Sequence, residues 1–335
     1  MGTSSVDLTQ RFSDSKMTMT TSQLSSLRAK VKYGRKIDGI AAALLPYTEN
    51  GEIDYPSYER VLLNIKQSGL TCAVNMDTGY VNLLTTAQKR EVLRFAANVL
   101  KGTPFVAGAF VEGLEGDIAA LYHVELQEIE AVGGTPILFQ SARMHGLTAR
   151  DKAALYGEIA KAASKVLAFE LGNMFAPNGE IWDEETFLRI LEIPQIVGAK
   201  HSSLNRLTEL ERLETCARLR PEFSVYTGND LGIDMVEYGS DYLLGLAAFS
   251  PDKFAERDRA WEVGELGYLE ISDAIQHLGC CAFRPPVPAY KHSAAFFLFT
   301  TGIIASPHPH PACARRSDWE LELMTSCAKR LGYSV

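Results

Sequence analysis

The stretch IPQIVGAKHSS (193–203) contains a short apolar run that ends in a lysine. Its centre, QIVGAK (195–200), has the length and composition of a buried β-strand with Lys200 as the last residue. Lysine is rarely buried, because a charged amine loses its hydration unless a partner compensates for it. The stretch therefore raises two questions: which fold contains such strands, and what a lysine does at the end of one.

Similar apolar runs recur along the chain, and they alternate with amphipathic segments that have helical spacing. The apolar runs are GIAAALLPY (39–47), TCAVNM (71–76), TPFVAGAF (103–110), TPILFQ (135–140), KVLAFEL (165–171), QIVGAK (195–200), EFSVYTG (222–228) and DYLLGL (241–246). The helical segments between them include SYERVLLNIKQSG (57–69), TAQKREVLRFAANVLKG (86–102), TARDKAALYGEIAKAAS (148–164), DEETFLRILE (183–192) and LTELERLETCARLR (207–220). Apolar strands joined through helices predict a parallel sheet, and eight such units predict a closed α/β (β/α)8 TIM barrel.

A doubly wound open sheet is the alternative fold, but no apolar run is followed by the Gly-x-Gly-x-x-Gly turn typical of dinucleotide-binding members of that class. We predict three regions: a poorly ordered N-terminal tail (1–35), the barrel (36–264) and a C-terminal helical region (265–335). The last region contains a proline-rich turn, FRPPVPAY (283–290), and a loop with the sequence SPHPHPAC (306–313). The two histidines of that loop are expected to be solvated, and no metal site is predicted.

Composition restricts the class of function. The chain has 335 residues, of which 46% are hydrophobic and 22% are charged, and these are globular proportions. A formal net charge of -8 without basic blocks argues against nucleic acid or an anionic membrane as partners. The six cysteines lack metal-ligand spacing and are expected to be reduced, which predicts a cytoplasmic protein. Small neutral or anionic metabolites remain compatible with the net charge, since local charge in a cleft can oppose the global sign.

The predicted barrel gives Lys200 a chemical context. Active sites of such barrels lie at the carboxyl ends of the strands. Strand alternation places Ile196, Gly198 and Lys200 on one face, and if that face points inward, Lys200 rises into the mouth of the barrel. A partly dry lysine has a lowered pKa and can attack a carbonyl carbon to form a Schiff base. The alternative is a lysine that reaches solvent or pairs with a neighbouring carboxylate.

Several of these motifs resemble a known family. The segments IPQIVGAKHSS and TGND (227–230), with DGIAAALLPYTENGEIDYPSY (38–58), NMDTGYVNLLTTAQKREVL (75–93) and FRPPVPAYKH (283–292), resemble the dihydrodipicolinate synthase and N-acetylneuraminate lyase family. The resemblance implies a TIM barrel and class I aldolase or lyase chemistry on pyruvate or another 2-keto acid. It implies that Lys200 is the catalytic residue that forms the imine, that no cofactor or metal is needed, and that the chain forms a homo-oligomer, a tetramer or dimer.

The chain departs from the family pattern after the fifth strand, where relatives carry a proton-relaying tyrosine in a Tyr-Asn-x-Pro segment. This chain has AFELGNMFAPNG (168–179), and an ungapped count places Gly172 at the tyrosine and Asn173 at the asparagine. Strand alternation instead offers Glu170 as the inward residue. Glu170 is therefore predicted either as a catalytic proton-transfer group or as an ion-pair partner of Lys200 or Arg143. The family arginine of this segment is also missing, with Pro177 near its position.

The remaining predicted substrate contacts lie in loops at the same end of the barrel. Where the family has paired threonines, this chain has Asp77 and Thr78 followed by Gly79, and an anion there is opposed by Asp77 unless that side chain points away. The other predicted substrate-binding residues are Asn173, Gly228, Asn229, Gln140 and Ser141.

These departures argue against dihydrodipicolinate synthase itself. They favour a Schiff-base lyase, aldolase or dehydratase for a different 2-keto acid, such as a deoxy-sugar acid. The alternative is a barrel with impaired turnover that binds keto acids, and a metal-dependent aldolase is a third possibility.

Overall fold

The computed structural model of the chain describes Ser25 and residues 28–335. Most of the tail predicted over 1–35 lies outside the described residues. From residue 39 onward the chain alternates strands and helices, as the sequence pattern predicts.

Eight parallel strands form a closed barrel in which each strand pairs with its neighbours in sequence and β8 pairs with β1. The predicted TIM barrel is therefore confirmed, and every predicted apolar run contains most of a strand. The strands are β1 (Gly39–Ala42), β2 (Thr71–Val74), β3 (Phe105–Ala109), β4 (Gly134–Leu138), β5 (Val166–Leu171), β6 (Ile196–Ser202), β7 (Ser224–Thr227) and β8 (Asp241–Leu244).

Ten α-helices between residues 55 and 330 surround and extend the barrel. They are α1 (Tyr55–Ser68), α2 (Thr86–Val99), α3 (Ile118–Ala131), α4 (Ala149–Ala160), α5 (Glu184–Leu191), α6 (Arg206–Leu219), α7 (Pro251–Val263), α8 (Gly267–Ala282), α9 (Tyr290–Thr300) and α10 (Glu320–Arg330). Side-chain caps start many of them: Thr85 and Gln88 form a capping box at α2, and Asp183 accepts a hydrogen bond from the Thr186 amide at α5. None of the described helices is both long and apolar enough to cross a membrane.

Two apolar cores follow from the barrel architecture. Alternate strand residues fill the interior, among them Ile40, Val106, Ile137, Phe169 and Leu243. The other strand residues pack against the helices in a second, larger core. Apolar burial of this kind is the main stabilising term of the fold, and it makes the strands a rigid base for side chains at the barrel ends.

The pairing of β5 with β6 contains an irregularity that decides which side chains point inward. Val166 pairs with Ile196, but Leu167 pairs with Gly198, so Val197 is an extra residue in β6. Val197 packs with the interior core, whereas Ile196 and Ala199 pack with the outer core. The prediction that Ile196 shares a face with Lys200 is therefore wrong, because the bulge resets the alternation between them. β6 also continues two residues beyond Lys200, to Ser202.

The C-terminal helices cover part of the barrel mouth. Residues 283–289 connect α8 to α9 through a short 3-10 helix, Val287–Ala289. The buried Arg316 donates hydrogen bonds to three carbonyl groups at this connection, those of Ala282, Arg284 and Pro285. This connection brings the first residues of α9 over the carboxyl ends of the strands.

Candidate functional site

A pocket opens at the carboxyl ends of the strands, between the barrel and the start of α9. Residues from five strands or the loops after them line it, together with two residues from the C-terminal region. The lining residues are Met76, Asp77, Thr78, Phe169, Leu171, Phe175, Lys200, Ser202, Gly228, Asp230, Gly245, Phe283 and Tyr290. A larger cavity lies at the opposite end of the barrel, among the amino ends of the strands. We take the smaller pocket as the candidate active site, because barrel enzymes carry out chemistry at the carboxyl end.

Lys200 extends into this pocket from β6 and is 9% exposed. Its Nζ atom lies 4.5 Å from the centroid of the Phe169 ring. No hydrogen bond or ion pair to Nζ is found among the described residues, and the pocket around the amine has both apolar and polar walls. Burial lowers the pKa of Lys200 below its usual value, and the negative charges of Asp230 and Asp77 offset only part of this effect. The site therefore favours the neutral, nucleophilic amine more than water does.

Two glycines make room for the side chains of the pocket. A Cβ atom at Gly228 would lie 2.7 Å from Lys200 Cε and 2.0 Å from Ser202 Oγ. At Gly245, a Cβ atom would lie 3.0 Å from Thr78 Oγ1 and 3.1 Å from the Tyr290 ring. A side chain at Gly228 would therefore displace Lys200 and Ser202, whereas one at Gly245 would require Thr78 and Tyr290 to shift by a few tenths of an ångström.

The short 3-10 helix Asp77–Gly79 presents its first turn to the pocket. Its backbone bonds run from the amides of Gly79 and Tyr80 to Met76 and Asp77, so the amides of Asp77 and Thr78 are not used by the helix itself. Unused amides at a helix start, with a nearby hydroxyl, form a suitable site for a carboxylate.

Asp77 points away from these amides and toward α9. Lys291 Nζ lies 2.8 Å from one carboxylate oxygen of Asp77, and the Tyr290 hydroxyl donates to the other at 2.9 Å. The ion pair with Lys291 reduces the repulsion that Asp77 would exert on a bound anion. The Tyr290 hydroxyl also lies 2.9 Å from Thr78 Oγ1.

Ser202 and Asp230 complete the polar lining. The Ser202 hydroxyl is buried and has no hydrogen-bond partner among the described residues, which leaves it available to a ligand. Asp230 accepts a hydrogen bond from the Leu246 amide, and burial raises its pKa to about 6, although the charge of Lys200 acts in the opposite direction. Ser202 does not cap the next helix, because Asn205 occupies that position before α6.

Glu170 lies outside the pocket, which corrects the predicted inward orientation. Its neighbours Phe169 and Leu171 fill the barrel interior, so Glu170 points into the layer between barrel and helices. There its carboxylate contacts His201 Nδ1 at 2.8 Å and Arg212 at 3.0 Å, and accepts a bond from the Trp182 amide. Burial raises the pKa of Glu170, but His201 and Arg212 outweigh it, and the net shift is downward. Its ion-pair partners are therefore not the predicted Lys200 or Arg143.

Five other residues predicted to bind substrate, Gly79 among them, also lie outside the lining of the pocket. Gln140 accepts hydrogen bonds from the Leu171 and Glu180 amides, and Ser141 donates to Glu112. Asn173 is exposed, whereas Asn229 is buried and accepts from the Leu231 amide. Gln140, Ser141 and Asn229 therefore stabilise loops at the barrel mouth. Of the predicted residues, Asp77, Thr78 and Gly228 lie with Lys200 in the pocket, and Gly79 lies directly beside it.

Possible metal ligands are found elsewhere in the structure. Among the described residues, one group of three is close enough to share an ion: His277, Cys281 and Cys327, whose ligand atoms lie within 4.8 Å of one another on α8 and α10. None of these three residues lines the pocket. The histidine loop predicted to be solvated packs against the barrel, where the His310 ring lies 5.0 Å from that of Tyr47.

Tyr290 and Ser202 are polar residues of the pocket that were not predicted as site residues from the sequence. Ser202 follows Lys200 by two residues, and the strand period of two predicts the same face if the strand continues. The sequence gives no such spacing for Tyr290, since its position depends on the packing of the C-terminal helices. The adjacent pair Tyr290 and Lys291 after a proline-rich turn is the available local signal.

Comparisons with known proteins agree with this architecture. No family model matches the chain. A 4-hydroxy-tetrahydrodipicolinate synthase from Kosmotoga olearia is 28% identical over 234 residues, covering 68% of this chain and 76% of that protein. The enzyme of the same name from Limosilactobacillus fermentum is 26% identical over 247 residues, covering 71% and 74%.

Solved structures are similar over most of their length. YagE, a prophage protein of the dihydrodipicolinic acid synthase family from E. coli, solved in complex with pyruvate, superposes with a TM-score of 0.78 at 14% identity, covering 89% of this chain and 99% of that one. The dihydrodipicolinate synthase of Thermotoga maritima superposes with a TM-score of 0.76 at 18% identity, covering 90% and 100%. Together with the curated relatives, these similarities show that this chain has the barrel fold of the dihydrodipicolinate synthase family and is similar in sequence to 4-hydroxy-tetrahydrodipicolinate synthases.

Proposed function

We propose that this protein is a class I lyase or aldolase in which Lys200 forms a Schiff base with a 2-keto acid such as pyruvate or a deoxy-sugar acid. The observation that carries the proposal is the amine itself, which is buried in the pocket, lacks a polar partner among the described residues and has a lowered pKa. The names of the relatives and the pyruvate complex of YagE support the same chemistry.

The pocket supports a specific orientation of the keto acid. Its carboxylate would bind the free amides of Asp77 and Thr78, while C2 faces Lys200. Nitrogen then bonds to C2 and the carbonyl oxygen leaves as water. The resulting cationic imine draws electrons from C3 and weakens a bond at the next carbon, as both carbon-carbon and carbon-oxygen lyases require.

We further propose that the second substrate or leaving group differs from that of dihydrodipicolinate synthase. The segment after β5 contains neither the tyrosine nor the arginine of that enzyme's pattern. Phe175 and Phe283 instead contribute apolar walls to the pocket. A carboxylate at the distal end of the substrate would find no arginine among the residues that line the pocket.

Borohydride trapping tests the proposal. The protein is incubated with pyruvate and with a panel of 2-keto and deoxy-sugar acids, reduced, digested and analysed by mass spectrometry. We expect a reduced adduct on Lys200, and we expect its loss in Lys200→Arg, which keeps the charge but not the nucleophile. Absence of an adduct with every acid, or an adduct that persists in Lys200→Arg, contradicts the proposal.

Turnover separates an enzyme from a binding protein. Pyruvate released from the acids that form adducts is measured in the absence and presence of a chelator. Release that survives the chelator supports the lyase and excludes a metal-dependent aldolase. An adduct without any release supports the barrel with impaired turnover.

A further inference from the structure

The pocket contains a tyrosine that reaches it from outside the barrel. Tyr290 is the first residue of α9 and is 4% exposed. Its ring stacks on Phe283, with centroids 4.4 Å apart and planes inclined by 14°. The ring is therefore held in one orientation, with the hydroxyl aimed at the start of the 3-10 helix Asp77–Gly79.

The hydrogen bonds of Tyr290 have a defined direction. An ionised carboxylate only accepts hydrogen bonds, so the single phenolic proton of Tyr290 goes to Asp77. The contact between Tyr290 and Thr78 must then be donated by the Thr78 hydroxyl. Thr78 lines the pocket, and its lone pairs remain free to accept a proton from a ligand. The three groups form a chain from the pocket through Thr78 and Tyr290 to Asp77.

We propose that this chain is the proton relay of the Schiff-base reaction, with Tyr290 as its central residue and Asp77 as the group that stores the proton. The inference rests on the proposed function, because it assigns the proton transfers which that reaction needs. It also identifies a group that replaces the tyrosine absent after β5. The relay enters the site from α9 instead of from the barrel.

Imine formation consumes and releases no net protons within the site. A lysine ammonium and a keto acid give a cationic imine and water, so nitrogen loses two protons and the departing oxygen gains both. One proton passes directly from nitrogen to oxygen in the tetrahedral adduct. The other passes through the bound keto acid or a water molecule to Thr78, and then along Tyr290 to Asp77, when Lys200 becomes neutral, and it returns along the same path when water leaves. Neither a cofactor nor an external acid is consumed.

Tyr290 remains neutral throughout this sequence. Burial and the charge of Asp77 raise the pKa of Tyr290 well above its usual value, which makes a free phenolate unfavourable. A relay avoids that species, because the hydroxyl releases one proton as it receives another. Lys291 pairs with Asp77 and keeps the carboxylate in place for the next transfer.

Time-resolved trapping of Tyr290→Phe tests the relay. Samples with pyruvate are quenched with borohydride at intervals, and the labelled fraction of Lys200 is measured by mass spectrometry. We expect the rate of labelling to fall roughly 100- to 10,000-fold, the usual size of a proton-transfer contribution. The final labelled fraction should match that of the unmodified protein, since a relay changes rates and not equilibria.

Tyr242→Phe is the matched control. Tyr242 is also fully buried and also donates a hydrogen bond to a carboxylate, that of Asp258 at 2.7 Å, but it does not line the pocket. Both variants lose a buried bond of the same kind, so their melting temperatures should fall to a similar extent. Only Tyr290→Phe should slow labelling.

A double variant distinguishes a relay from a structural role. Loss of the Asp77 charge also changes the fraction of neutral Lys200, so each labelling rate is divided by that fraction, taken from the pH profile of the same protein. On this basis Asp77→Asn should slow labelling as much as Tyr290→Phe, and the double variant should be no slower than either single variant, because both changes interrupt the same path. Unchanged labelling in Tyr290→Phe, equal slowing in Tyr242→Phe, or losses that multiply in the double variant overturn the relay. Absence of label in the unmodified protein overturns the proposed function as well.

Discussion

At Gly228 the backbone after β7 passes directly beneath the Lys200 side chain. We expect Gly228→Ala to slow labelling of Lys200 at least 10-fold, because the new methyl group would overlap Ser202 Oγ at 2.0 Å and Lys200 Cε at 2.7 Å. Misplacement of a nucleophile by about 1 Å can cost about 100-fold in rate. Gly267→Ala is the control, since a Cβ atom there meets nothing within 4 Å. Equal labelling rates in both variants would contradict this arrangement of the pocket.

Asp230 sets the ionisation of Lys200 through its charge. Removing that charge in Asp230→Asn destabilises the ammonium and lowers the pKa of Lys200 further. Imine formation becomes faster as pH rises through the lysine pKa, so the midpoint of this rise should move to lower pH. The shift should be measured above pH 6, because the pKa of Asp230 is about 6 and its carboxyl is neutral in more acidic solution.

A control for the pH profile comes from an exposed carboxylate. Asp234 pairs with Arg206 on the surface and lies outside the pocket lining. Asp234→Asn should leave the midpoint of the profile unchanged. A profile that is the same in Asp230→Asn and the unmodified protein would show that Asp230 has no effect on the amine.

At the scale of elements, Glu170 joins β5, β6 and α6 through His201 and Arg212. Glu170→Gln should lower the free energy of unfolding by roughly 3 kcal/mol at neutral pH, because it leaves the buried Arg212 without its counter-charge. The pKa of Glu170 is below its ordinary value of 4.5, so the stabilisation is present above pH 4.5 and disappears as pH falls through the lowered pKa. The difference between variant and unmodified protein should therefore shrink in acid.

Denaturant unfolding at neutral and acid pH measures this effect, and labelling of Lys200 reports on function. Glu185→Gln, which removes an exposed pair with Arg189, should change stability by no more than about 0.5 kcal/mol. The labelling rate of Glu170→Gln should stay close to that of the unmodified protein, since Glu170 lies outside the pocket. A large loss of labelling with full stability would instead support the catalytic role first considered for Glu170.

The same pair of strands shows where sequence reasoning about elements succeeds and where it stops. The apolar runs predict β5 and β6 because continuous hydrophobic strands are typical of a parallel barrel. The face of each side chain depends on the absolute phase of the strand and on bulges. The hydrophobic pattern does not reveal the strand phase that turns Glu170 outward. It also does not reveal that Val197 is an extra residue in β6.

At the scale of the whole molecule, the barrel could be predicted because the same pattern of an apolar strand followed by a helical segment recurs along the chain. The contribution of the C-terminal region to the site could not be predicted in the same way. Tyr290 and Asp77 are far apart in sequence, and their contact depends on how α8, α9 and α10 pack on the barrel. A periodic pattern shows that a helix is amphipathic, but it does not show which surface that helix covers.

Arg316 provides a test of this long-range arrangement. It lies just before α10, is 7% exposed and donates hydrogen bonds to the carbonyls of Ala282, Arg284 and Pro285 at the connection that leads to Tyr290. We expect Arg316→Met to leave these carbonyls without a donor, loosen residues 283–291 and slow labelling of Lys200 by a smaller factor than Tyr290→Phe does. Hydrogen exchange should become faster at the start of α9 and stay unchanged in β1 to β8. Arg189→Met, which removes an exposed arginine on α5, serves as the control. Slower labelling without faster exchange, or faster exchange with unchanged labelling, would show that the connection does not position Tyr290 for the reaction.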